Sequence, residues 1–192
     1  MIVRVVPTAS QIEEAREGCT SQAFNDNTID PKGQPVGNIA EIVFREWLKS
    51  YFIEHDYLAK DKKYYDFVIG GTCLDVKAKR RTGSNSDHSE IHVSLYLEDQ
   101  FCHYYVVASV VVPDGHLVPS VVELIGFISK PNFWEHPAMQ RVKKGQNTGT
   151  SSRPFIERAD AGKLNHKHLR SMDEFRDKIE TYLYKRAFGE VG

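Results

Sequence analysis

Residues 64 to 81 read YYDFVIGGTCLDVKAKRR and set Asp66, Asp75 and Lys77 among apolar neighbours. Two carboxylates and an ammonium are costly to hold beside a core unless something rewards them. Two β-rich runs flank Gly70-Gly71, which predicts a hairpin with strands at 64–69 and 72–80. Along the second strand Leu74, Val76 and Ala78 alternate with Asp75, Lys77 and Lys79. Alternate strand residues project to opposite faces, so Asp75 and Lys77 share a side, about 6 to 7 Å apart. The hairpin can bring Asp66 beside them, in a register the sequence leaves open. The chemistry that uses such a set is metal-assisted phosphodiester hydrolysis. Hard Mg2+ takes a few carboxylate oxygens and keeps its other positions for water and phosphate. A bound metal activates water, and a nearby lysine stabilises developing negative charge.

A helix must supply the rest of the site. Ile39, Ala40, Val43, Phe44, Trp47, Leu48, Tyr51 and Phe52 recur at helical spacing and predict a helix over about 38–55, with Asn38 as N-cap. At about 100° per residue, with Ile39 at zero, the apolar stripe covers roughly 0 to 220°. Ile42, Arg45, Glu46 and Lys49 fall outside it, whereas Glu41 points toward the packed face. Three carboxylates and one lysine can therefore converge at one edge of the sheet.

Asp66, an eight-residue gap and then Asp75-Val76-Lys77, preceded by a helix carrying Glu41, resembles the PD-(D/E)xK nuclease superfamily, with small stand-alone phage-type members most similar in layout. The resemblance covers about residues 38 to 128. It departs from the family pattern at Tyr65, where proline would precede the aspartate. It implies an α/β fold, a restriction-endonuclease-like αβββαβ core with a mixed central sheet flanked by helices. It further implies Asp66, Asp75, the Val76 carbonyl and Glu41 as Mg2+ ligands, with Mn2+ able to substitute, and Lys77 as the catalytic lysine. Gln100 would then sit on the helix that follows the catalytic strands, and DNA would be the substrate. A homodimer with two-fold symmetry is the default expectation for such a nuclease.

Lys79, Arg80 and Arg81 follow directly and would meet the phosphate backbone; Lys143, Lys144 and Arg153 in the later basic region would clamp nucleic acid. Plainer readings stand beside these. Asp75 and Lys77 also suit a solvated hairpin face with a surface ion pair, Asp66 a turn, and Glu41 a first helical turn favoured by the helix dipole. The basic residues also suit solvated or mobile segments. The alternative functions are a non-catalytic nucleic-acid-binding module on the same fold, or an interaction protein whose acidic cluster is an ion-pair network.

The rest of the chain frames these residues. Its 192 residues suit a single domain. That domain comprises the core at about 38–128, a loop-rich basic region at about 130–170 and a helix at about 172–188, capped by Ser171 with Glu174. A short helix is expected over 10–17, capped by Ser10 with Glu13 and stopped by Gly18. Strands are expected near 57–60, within 91–103 ahead of a helical turn, in HYYVVASVVV and in SVVELIGFIS; residues 81–89 read as loop. With 41% hydrophobic and 27% charged residues the composition is that of an ordinary globular protein. A net charge of −1 excludes a uniformly basic nucleic-acid binder, though not a local basic patch. Three cysteines without a CxxC pair give neither a disulfide framework nor a zinc knuckle. His166-Lys167-His168 and His88 with His92 have no cysteine or acidic partner at zinc spacing. The N-terminus lacks a signal-peptide layout and no apolar run is long enough to span a bilayer, so a cytoplasmic protein is expected, in the host cytoplasm if phage-encoded.

Overall fold

The structure is a computed structural model and describes residues 1–17, 19, 35–58, 65–83, 89–95, 98–147 and 160–189. The chain opens with β1 (Val3–Val5) and α1 (Ala9–Arg16), followed by α2 (Pro35–Ser50). Next come β2 (Asp56–Tyr57), β3 (Phe67–Ile69), β4 (Thr72–Arg81) and β5 (Glu90–Ser94). Then follow β6 (Tyr104–Val111), β7 (Val121–Ser129), α3 (Lys130–Trp134), β8 (Gln140–Val142) and β9 (Ala161–Asn165). A 3-10 turn (His166–His168) leads into α4 (Met172–Phe188).

Six strands form one mixed sheet in the order β1-β7-β6-β4-β3-β2, in which only β4 and β6 run parallel. One face carries α1, α2 and α4 over a core that includes Phe44, Phe67, Leu74, Val106, Leu124, Phe127 and Phe175. Phe44 is fully buried, edge-on to Phe67 (5.1 Å) and Phe175 (5.8 Å), so it ties α2 to both β3 and α4. The other face carries α3 and a three-stranded sheet, β5-β9-β8, over Tyr105, Val107, Ile125 and Phe133. Mixed α/β architecture is as expected. Among the described residues no helix is long and apolar enough to cross a membrane.

Several local expectations need correction. α1 is capped by Thr8, not Ser10: its side chain accepts from the Gln11 amide (3.2 Å) while Gln11 reaches back to the Thr8 amide (2.8 Å). Gly18, the expected stop, lies outside the described residues. α2 begins three residues before Asn38, at Pro35, which has no N–H to leave unpaired. Asn38 instead donates from Nδ2 to the Ala15 carbonyl (3.0 Å) and ties α1 to α2. That contact, with Arg45 forked onto Glu14 (2.6 and 2.9 Å), lays α1 along a second flank of α2. Ile42 lies on this flank and is 2% exposed, although one stripe alone would leave it in water. α2 ends at Ser50 because Phe52 adopts a left-handed φ of 56°. The Phe52 amide then bonds Lys49 O and the Ile53 amide bonds Leu48 O, a Schellman closure that leaves the Phe52 ring exposed.

The stretch read as loop from 130 to 170 contains α3, β8 and β9. β9 pairs with both β5 and β8 (Val93↔Gly162↔Arg141), so two short strands become stable only through a third. The crossover from β4 to β6 passes through β5, a 3-10 residue at Leu95 and a turn at Glu98–Gln100; among the described residues it contains no α-helix.

Candidate functional site

The hairpin forms as its glycines require. Gly70 (φ 57°) and Gly71 (φ 93°) turn β3 into β4, with Ile69↔Thr72 and Phe67↔Leu74 in register. The Asp66 amide donates to the Leu74 carbonyl (2.8 Å), so Asp66 sits beyond the ladder rather than squarely opposite Asp75. Because β3 is only three residues long, the β4 backbone past Leu74 lacks a partner on that side. The Asp66 carboxylate supplies one: its Oδ2 accepts from the Val76 amide at 2.7 Å. Within a strand the N–H and C=O of one residue point to the same edge, so the Val76 carbonyl is directed toward the Asp66 side.

Glu41, in the second turn of α2, is 5% exposed and accepts a hydrogen bond from the Tyr57 hydroxyl (3.0 Å). The Tyr57 ring stacks on Phe67 (4.9 Å) with the Arg45 guanidinium above it (5.4 Å). Burial, then the negative charges of Glu41 and Asp66, push the Tyr57 phenol well above its ordinary pKa.

Asp75 and Lys77 project from the other face of β4, as the alternation requires. Asp75 is 4% exposed, and its Oδ2 lies 2.6 Å from Lys77 Nζ. The distance is that of an ion pair, but the approach misses hydrogen-bonding directions, so Oδ2 is buried without a hydrogen bond. Lys77 also lies over the ring of Tyr105 (5.8 Å), whose hydroxyl accepts from Trp134 Nε1 (3.1 Å). Burial, and next the charge of Asp75, push the neighbouring Cys102 thiol up to about 12.

The four residues are thus split. Glu41 is bonded by Tyr57, Asp66 accepts from the Val76 amide at the edge of β4, and Asp75 pairs with Lys77 on the face of β4 away from the helices. Among the described residues no group of three or more His, Cys, Asp or Glu is gathered at metal-binding distance. The donor set itself suits a hard cation: three buried carboxylates, one with an oxygen lacking a hydrogen bond, and a backbone carbonyl on the Asp66 edge.

The basic run divides by the same alternation. Lys79 and Arg81 share the face of Asp75 and Lys77, while Arg80 belongs to the helix side. Lys79 Nζ lies 3.0 Å from His92 Nε2, and Arg81 is half-buried with Nη2 3.5 Å from the Glu90 carbonyl. Burial lowers the Arg81 pKa, opposed by Glu123 and Glu90. Lys143 and Lys144 lie exposed on the turn after β8, where the Lys144 amide bonds Asp160 (2.7 Å). Among the described contacts none links them to Asp75 or Lys77. Arg153 and His88 lie outside the described residues. Gln100 sits in a turn rather than on a helix, and its carbonyl accepts from Lys130.

Sequence reasoning missed a cluster beside Lys79: Glu90 and His92 on β5, Lys163 on β9 and His166 just after it. The alternation in EIHVS carries the signal for β5, since Glu90 and His92 share a face. Its partner AGKLN was hidden in a stretch whose polarity reads as loop.

No protein-family model matches the chain, and no curated protein matches it either.

Proposed function

We propose that the chain is a Mg2+-dependent nuclease that hydrolyses DNA phosphodiester bonds, built on a PD-(D/E)xK-like core of α2, β2, β3, β4 and β6. The observation that carries this reading is Asp75: a buried carboxylate with one oxygen lacking any hydrogen bond, 2.6 Å from Lys77 Nζ, on a strand that continues into Lys79 and Arg81.

Asp66, Asp75 and the Val76 carbonyl would hold the metal, with Glu41 as a further ligand to it or to its water. When bound, such a cation lowers the pKa of a coordinated water and offsets charge on the phosphate. The residues of the chain do the positioning. The Val76 amide holds the Asp66 carboxylate at the edge of β4, and the Tyr57 hydroxyl fixes the Glu41 carboxylate. Lys77 pairs with Asp75 and would offer an ammonium to the charge that develops on the phosphate. Tyr105 and Trp134, buried and bonded to each other, form an apolar wall that limits water around the lysine. The test is cleavage of DNA in Mg2+ or Mn2+ by wild type, lost in Lys77→Met.

A second reading, the non-catalytic nucleic-acid-binding module, is favoured by one observation: the described carboxylates are not drawn into a single group. It predicts DNA retention that survives EDTA, with no product in either metal.

A further inference from the structure

Past Lys77, β4 and β6 run beneath β5 and the turn after β9, and the space between holds a cavity of about 160 Å3. A water takes about 30 Å3 in the liquid, so the cavity has room for a tetrahedral oxyanion and a few waters. Val107 and Ala108 form its apolar floor, while Lys77 and Lys79 bring ammonium groups and His92 and His166 bring imidazoles to its lining. The one carboxylate on its described lining is Glu90, drawn to Lys163 (3.4 Å).

We propose that this cavity is an oxyanion subsite that takes a phosphate group of the nucleic-acid chain, with Lys79 as its principal charge and Lys77 beside it. Lys77 is common to the cavity and to the Asp75 pair, so a phosphate seated here neighbours the one under attack. The ligand's identity as nucleic acid rests on the nuclease reading; the preference for an oxyanion does not.

Three features support it. Lys79 Nζ can only donate to His92 Nε2, which therefore accepts and leaves the imidazole neutral, with Nδ1 as its N–H. Burial, with the cations Lys79, Lys163 and Arg81, pushes His92 down to about 3, and burial with Arg81 and Lys79 pushes His166 down to about 4. Both rings stay uncharged at neutral pH, the form a cation-rich pocket enforces. Holding several cations in a desolvated space is costly, and an arriving dianion offsets that cost.

The experiment is calorimetric titration of the metal-free full chain, in EDTA at low salt, with inorganic phosphate. The arms are wild type, Lys79→Met, which keeps the aliphatic stem, and Lys79→Arg, which keeps the charge; thermal melts show which are folded. Wild type should bind phosphate at one site, Lys79→Met about tenfold or more weakly, and Lys79→Arg close to wild type. Should Lys79→Met fail to fold, Lys79→Gln takes its place with the same expectation. Wild type that does not bind, or equal binding by a folded variant lacking the donor, overturns the subsite. Duplexes with 5′-phosphate and 5′-hydroxyl ends then name the source. A preference for the phosphorylated end that Lys79→Met removes marks a terminal phosphate. Equal weakening on both duplexes marks an internal one. Phosphate binding without DNA cleavage would sink the nuclease reading alone, and cleavage without phosphate binding would sink the subsite alone.

Discussion

Replacing Lys77 by methionine keeps the aliphatic stem over Tyr105 and removes the charge that faces Asp75. The side chains are 18% and 6% exposed, so this is a buried pair with a small solvent contact at the lysine. Removing one partner of such a pair costs about 3 to 5 kcal/mol, because the other charge stays behind. The exposure of Lys77 argues for the lower end, about 3 kcal/mol. For a chain of 192 residues, about 2 to 4 °C of Tm per kcal/mol gives a fall of roughly 6 to 12 °C. The double variant Asp75→Asn/Lys77→Met removes both charges and should recover much of that loss. If Asp75 is also a metal ligand, Mg2+ at about 100 times its Kd should stabilise Lys77→Met by about 2.7 kcal/mol. Denaturant titration with and without metal reads all three quantities. A single variant within about 0.5 kcal/mol of wild type, or a double variant as damaged as the summed singles, would refute the reasoning.

Other outcomes follow from features beyond the Asp75–Lys77 pair. His92 and His166 have folded-state pKa values depressed to about 3 and about 4, so the unfolded chain binds more protons below about pH 6.5. Their contribution is complete above about pH 6.5 and is lost as the pH falls toward 4 and then 3, at about 1.4 kcal/mol per unit for each ring. Urea titrations from pH 7 to 4 on wild type and His92→Gln/His166→Gln would show the variant less acid-sensitive, and equal slopes would contradict it. Phe52→Gly should stabilise by about 1 kcal/mol, since a left-handed φ of 56° costs a bulky residue about that much and the ring is 94% exposed. Unchanged or lower stability would count against the helix closure. Gly126→Ala puts a Cβ against the Arg170 backbone, so it should lose about 2 kcal/mol or more and loosen α4 from β7. Hydrogen exchange of the Phe127 amide, which bonds Arg170 O, would report it. Cys102, with its thiol pushed up to about 12, should resist alkylation at pH 8 until the protein unfolds, and a fast native reaction there would disagree.

The hairpin was legible because its two glycines and the alternation from Leu74 to Lys79 state local geometry directly. The helix stripe disclosed that Glu41 is buried, and the Ser171–Glu174 box marked the start of α4. What the sequence left open depends on distant partners. The burial of Ile42 requires α1 lying alongside, which one-stripe reasoning does not supply. β8 and β9 are too short and polar to announce themselves, and they exist through β5. The position of Asp66 is decided by where the β3 ladder stops, not by composition. The cavity beside Lys79 arises only when the second sheet folds over the first, so no spacing along the chain encodes it.

The most direct measurement is cleavage of supercoiled plasmid, linear duplex, single-stranded and branched DNA by the purified chain in Mn2+, with Asp75→Asn and Lys77→Met beside it, each folded by its melt. Wild type should give product on at least one substrate, abolished by EDTA and by both variants. Product that survives in folded Lys77→Met, or none from wild type on any DNA, would contradict it.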